Sequence, residues 1–156
     1  MKKFFTKALP LMACFAFTST AIAQTIDVNS ADSRPSSIGS SEYFTGESII
    51  VPLFHTTEYS NISSGEVTFP PGTRAAWHTH PAGQILVVTS GIGWVQTRGE
   101  ERQEIRAGDV VRIPPDVEHW HGASAEHAMT HIAIQENVDG SGVDWMDHVT
   151  DEEYAE

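Results

Sequence analysis

The sequence predicts an all-β domain: a single small sandwich or barrel, followed by a short C-terminal helix or extension. Three observations carry this. Runs rich in β-branched and aromatic residues recur every eight to twelve residues, with Gly, Pro, Ser or Asp clusters between them. No stretch before residue 143 holds a 3.6-residue apolar period. No repeat of the solenoid kind is present, and the spacing leaves no room for parallel βαβ units.

Taken in order, the chain starts with a leader. Lys2, Lys3 and Lys7 form a basic segment, "ALPLMACFAF" is a short apolar run, and "AIA" at Ala21–Ala23 offers small residues for cleavage. The run is too short to span a bilayer. Residues 1–23 are therefore read as a secretory signal cut before Gln24, which fits better than the weak lipobox in "LMAC". Residues 24–41, rich in Ser and Asp, read as a flexible tether, and residues 42–156 as the folded domain. Within it "SIIVPLF" is a strand, and "GEVTFPPG" is a short strand ended by Pro-Pro-Gly. "QILVVTSGIGWVQTRG" reads as two strands around Ser90-Gly91, and "RQEIRAGDVVRIPP" as two more around Ala107-Gly108-Asp109. "EHWHGA" and "HAMTHIAIQE" complete the set, and Thr150 with Glu153 predicts a capped helix at the tail.

Loss of the leader removes all three lysines and the single cysteine, Cys14. The mature chain keeps six arginines against 21 acidic residues, a balance of −15 with histidines neutral. Such a surface repels nucleic acid and anionic lipid, so neither is an expected partner. Without lysine there is no Schiff base, and without cysteine no thiolate nucleophile, disulfide or thiolate-bound metal. Histidine, carboxylate and a metal or cofactor are left to carry any chemistry.

The histidines are patterned for that. In "WHTHPAGQ", His78 and His80 lie on one face of a strand, about 7 Å apart along the backbone. Two such imidazoles can converge on one ion at roughly 2.1 Å per bond. Pro81-Ala82-Gly83 then breaks the strand, and Gln84 starts the next one, able to return to the same point. "EHWH" repeats the device with His119 and His121. One histidine alone more often serves as a surface or hydrogen-bonded core residue; two HxH pairs in one small domain favour a metal.

"PGTRAAWHTHPAGQILVVTSG" and "GDVVRIPPDVEHWHGA" resemble the two motifs of the cupin family. The matching points are Gly72, the HxH of His78 and His80, Gln84 and Gly91 in the first, and Gly108, Pro114 and His119 in the second. The resemblance implies a cupin jelly-roll β-barrel holding one divalent transition metal per subunit. Its ligands would be His78, His80, Gln84 and His119. "GWVQ", "AMTHIAIQE" and "VDWMDHVTDEEY" extend the likeness to the bacterial manganese-containing cupin hydroxynitrile lyases, over about residues 42–154. Most cupins carry Glu where this chain has Gln84, but the lyase group carries Gln. Three imidazoles and an amide leave the metal's charge uncompensated, which strengthens it as a Lewis acid toward anions. Mn is the first expectation and Fe the second, with Ni, Co and Zn compatible with the ligand types.

The same resemblance makes His131 a general base, with Gln135 beside it, and places Gly65 and Val67 on the cavity wall. His127, Met129, His131, Ala133 and Gln135 alternate onto one face of their strand. His121 is a further catalytic candidate. Phe69, Trp77, Trp94 and Trp120 read as core or cavity wall, with Phe69 and Trp94 assigned to the substrate pocket. His55, His127 and His148 fit no motif position and read as surface or structural, and Arg74 as an ion-pair partner.

The function expected is metal-dependent cleavage of a hydroxynitrile to an aldehyde or ketone and cyanide, and its reverse. Two alternatives stay open. One is a mononuclear Fe or Mn dioxygenase, or a decarboxylase or isomerase of a small organic acid. The other is a non-enzymatic periplasmic cupin that binds a small ligand. The setting expected is periplasmic or secreted, with no membrane bound in the mature form. The assembly expected is a homodimer or homotetramer, "SIIVPLF" being the strand offered for pairing between subunits.

Overall fold

The computed structural model describes residues 25–155, so the secretory leader read over residues 1–23 and its cut before Gln24 lie outside the described residues. Twelve strands follow a single 3₁₀ turn at Ala31–Ser33. The first six are β1 (Ser37–Ile38), β2 (Phe44–Thr45), β3 (Ile49–Phe54), β4 (Ile62–Phe69), β5 (Arg74–Ala75) and β6 (His78–Thr79). Then come β7 (Gln84–Thr97), β8 (Gln103–Arg106), β9 (Val110–Ile113), β10 (His119–Ala123), β11 (Met129–Glu136) and β12 (Asp144–Trp145). The helix α1 (Asp151–Ala155) ends the described chain. All pairings are antiparallel, in the order β1-β3-β4-β11-β7-β10-β5-β2. The sheet curls round one core, as the all-β jelly-roll expectation required.

One long strand makes the curl. The hairpin expected at Ser90-Gly91 is absent, and β7 runs through that point for 14 residues. Its first half pairs with β9 and β11, its second with β8 and β10. Opposite it, Thr130 faces Ser90 but His131 faces Val88, so one residue of β7 is bulged out. The bulge switches the inward set: Gln84, Leu86 and Val88 are buried before it, Gly93 and Val95 after it. Gly91 takes φ +77°, and a Cβ there would lie 1.8 Å from the Ala128 carbonyl oxygen, so the corner needs glycine.

The core inside the curl is Phe44, Phe69, Val88, Val95, Ile105 and Met129, all buried. A second cluster, Trp77, Trp120 and Val149 with Trp94 and Tyr154 against it, sits under the C-terminal segment. Arg74 is buried there, where its Nε and one terminal nitrogen donate to the Val149 carbonyl and the latter also reaches Asp151 at 2.7 Å. The ion-pair reading of Arg74 therefore holds. The tail helix is capped as expected: the Glu153 amide donates to Thr150 Oγ1, and the Thr150 amide to the Glu153 carboxylate.

One further stretch differs from expectation. Within the supposed tether, Ser37 and Ile38 pair with Ile50 and Ile49, and the Gly39 amide donates to the Ser48 carbonyl. The hydrogen-bonded ladder thus begins ahead of residue 42. "SIIVPLF" pairs along its length with β4, while β1 covers only Ile49 and Ile50 on its other side, so Val51–Phe54 have no strand beside them there among the described residues.

Candidate metal centre

The three clustered histidines arrive from two pieces of backbone, His78 and His80 from β6 and the residue after it, His119 from β10. β6 is held on both sides, with His78 opposite His119 of β10 and opposite Trp145 of β12. After His80 the chain reverses in a turn that the Gly83 amide closes onto the His80 carbonyl at 3.1 Å. Pro81 presets the second position of that turn, and Gly83, at φ +79°, completes it. Gln84 then opens β7 opposite Gln135 and Ile113, its side chain buried.

One ligand atom from each of His78, His80 and His119 lies within 4.8 Å of the others, and all three residues are buried. Each Nδ1 meets a backbone carbonyl: Ala76 at 2.8 Å, Gly142 at 2.5 Å and Val117 at 2.8 Å respectively. A carbonyl only accepts, so each Nδ1 carries the proton and each Nε2 the lone pair. His80 Nε2, His119 Nε2 and Gln84 Oε1 are buried with no hydrogen-bond partner among the described residues. Burial and its neighbour His119 hold His78 well below the usual histidine range, burial lowers His80, and burial brings His119 to about 4. Three neutral imidazoles and an amide oxygen, oriented by fixed hydrogen bonds, are a donor set that fits a divalent transition metal.

A cavity of about 180 Å³ opens against this cluster. Its polar side carries His78, His80, Gln84, His121, His131 and Gln135, its apolar side Ile50, Val67, Phe69, Val143 and Trp145. His131, wholly buried on β11, places Nε2 3.1 Å from His121 Nδ1. The Phe69 ring packs against both, centroids 5.5 Å and 5.9 Å away. His131 Nδ1 and His121 Nε2 have no hydrogen-bond partner among the described residues. Burial brings His131 to about 4; burial, with the nearby His131, sets His121 well below the usual range. Gln135 Nε2 donates to Ser63 Oγ at 3.3 Å, and Ser63 in turn donates to Asn137, which leaves Gln135 Oε1 without a partner. Gly65 is not required by its backbone: a Cβ there would meet only the Val51 carbonyl, at 3.7 Å. What glycine supplies is space.

The structure thus brings His78, His80, Gln84, His121, His131, Gln135, Gly65, Val67 and Phe69 onto one cavity, with His119 completing the histidine cluster. Trp94 is not there. The bulge in β7 turns it outward, where the Arg102 guanidinium lies 3.5 Å from its ring centroid and Tyr154 packs beside it. Trp77 and Trp120 belong to the same outer cluster and not to the cavity wall. His127 lies ahead of β11, exposed and near Ser124; His55 and His148 are exposed too. Ala133 shares the cavity with His131 and Gln135, as the alternation of their strand implied, whereas sequence reasoning missed Phe44, Ile50, Val143 and Trp145 on the wall. Trp145 stands in a two-residue strand beyond the periodic part of the chain, where no alternation pointed inward. A larger hollow, about 390 Å³, lies between the unpaired edges of β8 and β9. It touches His119 alone of the candidate residues, so convergent polar chemistry favours the smaller cavity.

The cupin domain family matches residues 65–134. The chain is 50% identical over 129 residues to (R)-mandelonitrile lyase of Granulicella tundricola, covering 83% of this chain and 98% of that one. A cupin-like protein from Thermotoga maritima superposes with a TM-score of 0.72 at 45% identity, over 76% of this chain and 90% of that chain. A cupin-2 domain protein from Rhodospirillum rubrum, 16% identical, shares the fold with a TM-score of 0.62, over 83% and 84% of the two chains.

Proposed function

The chain belongs to the cupin family, and from that premise we propose that it is an enzyme, a metal-dependent hydroxynitrile lyase. The observation that carries the reading is the joining of two halves in one cavity: three oriented imidazoles with Gln84, and the buried His131–His121 pair. The named relative, a mandelonitrile lyase matched over nearly its whole length, supports the reaction class.

His78, His80, His119 and Gln84 would hold the metal, Mn first and Fe second by their N/O donors. When bound, a divalent ion supplies Lewis acidity toward an oxygen or a nitrile. The remaining work falls to the chain. His131, kept neutral by burial, takes the proton of the cyanohydrin hydroxyl. The bond from the carbinol carbon to the nitrile carbon breaks, its electron pair leaves on cyanide, and the carbonyl forms. The same proton then passes to cyanide, releasing hydrogen cyanide and an aldehyde or ketone. His121 orients the His131 ring through the 3.1 Å contact. Gln135, steadied by Ser63, leaves its amide oxygen unpartnered at the cavity, where it adds a neutral polar group beside His131 on the same strand. Gln84 adds no negative charge, so the site keeps its preference for anions. Ile50, Val67, Phe69 and Trp145 face the carbon substituent and exclude water.

The leader read over residues 1–23 supports a periplasmic or secreted setting. Exposed Ile38 on β1 and Ile49 and Phe54 on β3 support assembly into a homodimer or homotetramer. The test is anaerobic incubation of metal-loaded protein with mandelonitrile. Release of benzaldehyde above the uncatalysed blank is expected. Metal-replete protein that releases none, or that turns over only when oxygen is consumed, overturns the proposal.

A further inference from the structure

We propose that Trp145 is a specificity-determining residue of this cavity, restricting the apolar end of a ligand to one flat ring; the inference rests on the cyanohydrin reading of the same site. Trp145 is immobilised from three sides. Its ring stacks on Tyr43 at 4.7 Å and 14°, meets the edge of Phe44 at 5.7 Å, and packs against the His78 imidazole at 4.8 Å. Its backbone is pinned as well. Trp145 pairs with His78, the Met146 amide donates to the Trp77 carbonyl, and the Trp77 amide donates to the Asp147 carbonyl. Three residues upstream, the Gly142 carbonyl receives the His80 Nδ1 proton. The segment that carries the indole is therefore the segment that orients a candidate ligand, and it cannot swing aside to admit a larger group.

The rest of the wall agrees. Phe44 and Phe69 are buried in the core, whereas Trp145 is only half-buried and offers surface to the cavity. Gly65 and Ala133 add little bulk to their part of the wall, which leaves the fixed indole as a dominant large surface there. At about 180 Å³ the cavity lies below the usual size of ligand pockets, roughly 300–1,000 Å³, so it suits a compact molecule. Aromatic rings gain most from offset or edge contacts at about 4.5–7 Å between centroids, and a fixed indole provides such a face.

The experiment compares binding of benzyl alcohol and 2-naphthalenemethanol, two inert aryl carbinols, by calorimetry on metal-loaded wild type, Trp145→Phe and Trp145→Ala. Wild type and Trp145→Phe are expected to favour the single ring by about tenfold or more, with Trp145→Ala bringing the ratio near one. A wild-type protein without that preference overturns the inference. So does a Trp145→Ala protein that keeps the preference with wild-type circular dichroism and metal content. If Trp145→Ala fails to fold, Trp145→Leu is read in the same way. Mandelonitrile cleavage by the same wild-type preparation separates the two ideas. A changed ratio without benzaldehyde release removes the lyase reading alone, and benzaldehyde release with an unchanged ratio removes the role of Trp145 alone.

Discussion

His131 and His121 face each other across 3.1 Å, Nε2 to Nδ1, in a cavity whose wall carries no carboxylate among the described residues. Each ring has the other as its side-chain hydrogen-bond partner, and the outer nitrogen of each, His131 Nδ1 and His121 Nε2, has no partner among the described residues. Replacing His121 with Ala frees the His131 ring while leaving its free nitrogen in place. Steady-state kinetics are expected to record a fall in kcat of about 10- to 100-fold, the usual cost of losing a group that orients a functional imidazole. Metal content by elemental analysis stays at the wild-type level. A variant with unchanged kcat assigns His121 to packing alone.

The buried histidines set an acid limit on the metal-free protein. His119 and His131 titrate near 4 in the fold, against about 6.5 in an unfolded chain. As pH falls below about 6.5 the unfolded chain takes up protons that the fold refuses, so stability drops. The loss from these groups continues to about pH 4, where the folded imidazoles also charge, and then levels off. Denaturant midpoints measured on metal-free protein between pH 7 and 4 should decline over that window. A flat profile contradicts the placement of these side chains as neutral and buried.

Ligand assignments separate by charge. His80→Ala removes a donor whose Nδ1 is tied to Gly142 and is expected to abolish metal retention through dialysis. Gln84→Glu keeps an oxygen donor and adds a negative charge. It is expected to hold metal at least as well as wild type but to cleave cyanohydrin more slowly, because the carboxylate offsets the ion's charge. Elemental analysis beside a rate assay reads both. Stoichiometric metal in His80→Ala, or full activity in Gln84→Glu, counts against the assignment.

Arg74 and Asp151 form an unequal ion pair, since the guanidinium is buried and the carboxylate is 95% exposed. Asp151→Ala is expected to cost at most about 1 kcal/mol, as exposed pairs do. Arg74→Ala loses the donors to the Val149 carbonyl and leaves that acceptor stranded in the outer core, at about 1–3 kcal/mol. Gly91→Ala is expected to exceed both, because its Cβ would run into the Ala128 carbonyl at a left-handed φ. Urea unfolding of the three variants gives the order.

Much of this site is written in short-range pattern. Alternation alone sets His78 beside His80, and Pro81 to Gly83 returns Gln84 to them. The tail cap follows from Thr150 and Glu153. What the pattern hides is the bulge in β7. The sequence reads as two strands around Ser90-Gly91, and even one continuous strand of strict period two would set Gln84, Leu86, Val88 and Trp94 on one face. One looped-out residue reverses the parity, so Trp94 leaves the cavity. The bulge reflects tertiary pairing with β11 and the tight approach of Gly91 to Ala128, neither visible locally. Trp145 is hidden for a related reason: two residues of strand have no period, and only the pairing with His78 turns the indole onto the site.

The most direct measurement is benzaldehyde release from mandelonitrile under nitrogen by wild type and His131→Ala, with metal content determined on the same samples. Stoichiometric metal is expected in both proteins, with a rate lower by about 10²–10⁴ in the variant, the contribution of a positioned general base. Full activity in metal-replete His131→Ala, or no release from metal-replete wild type, would contradict this mechanism.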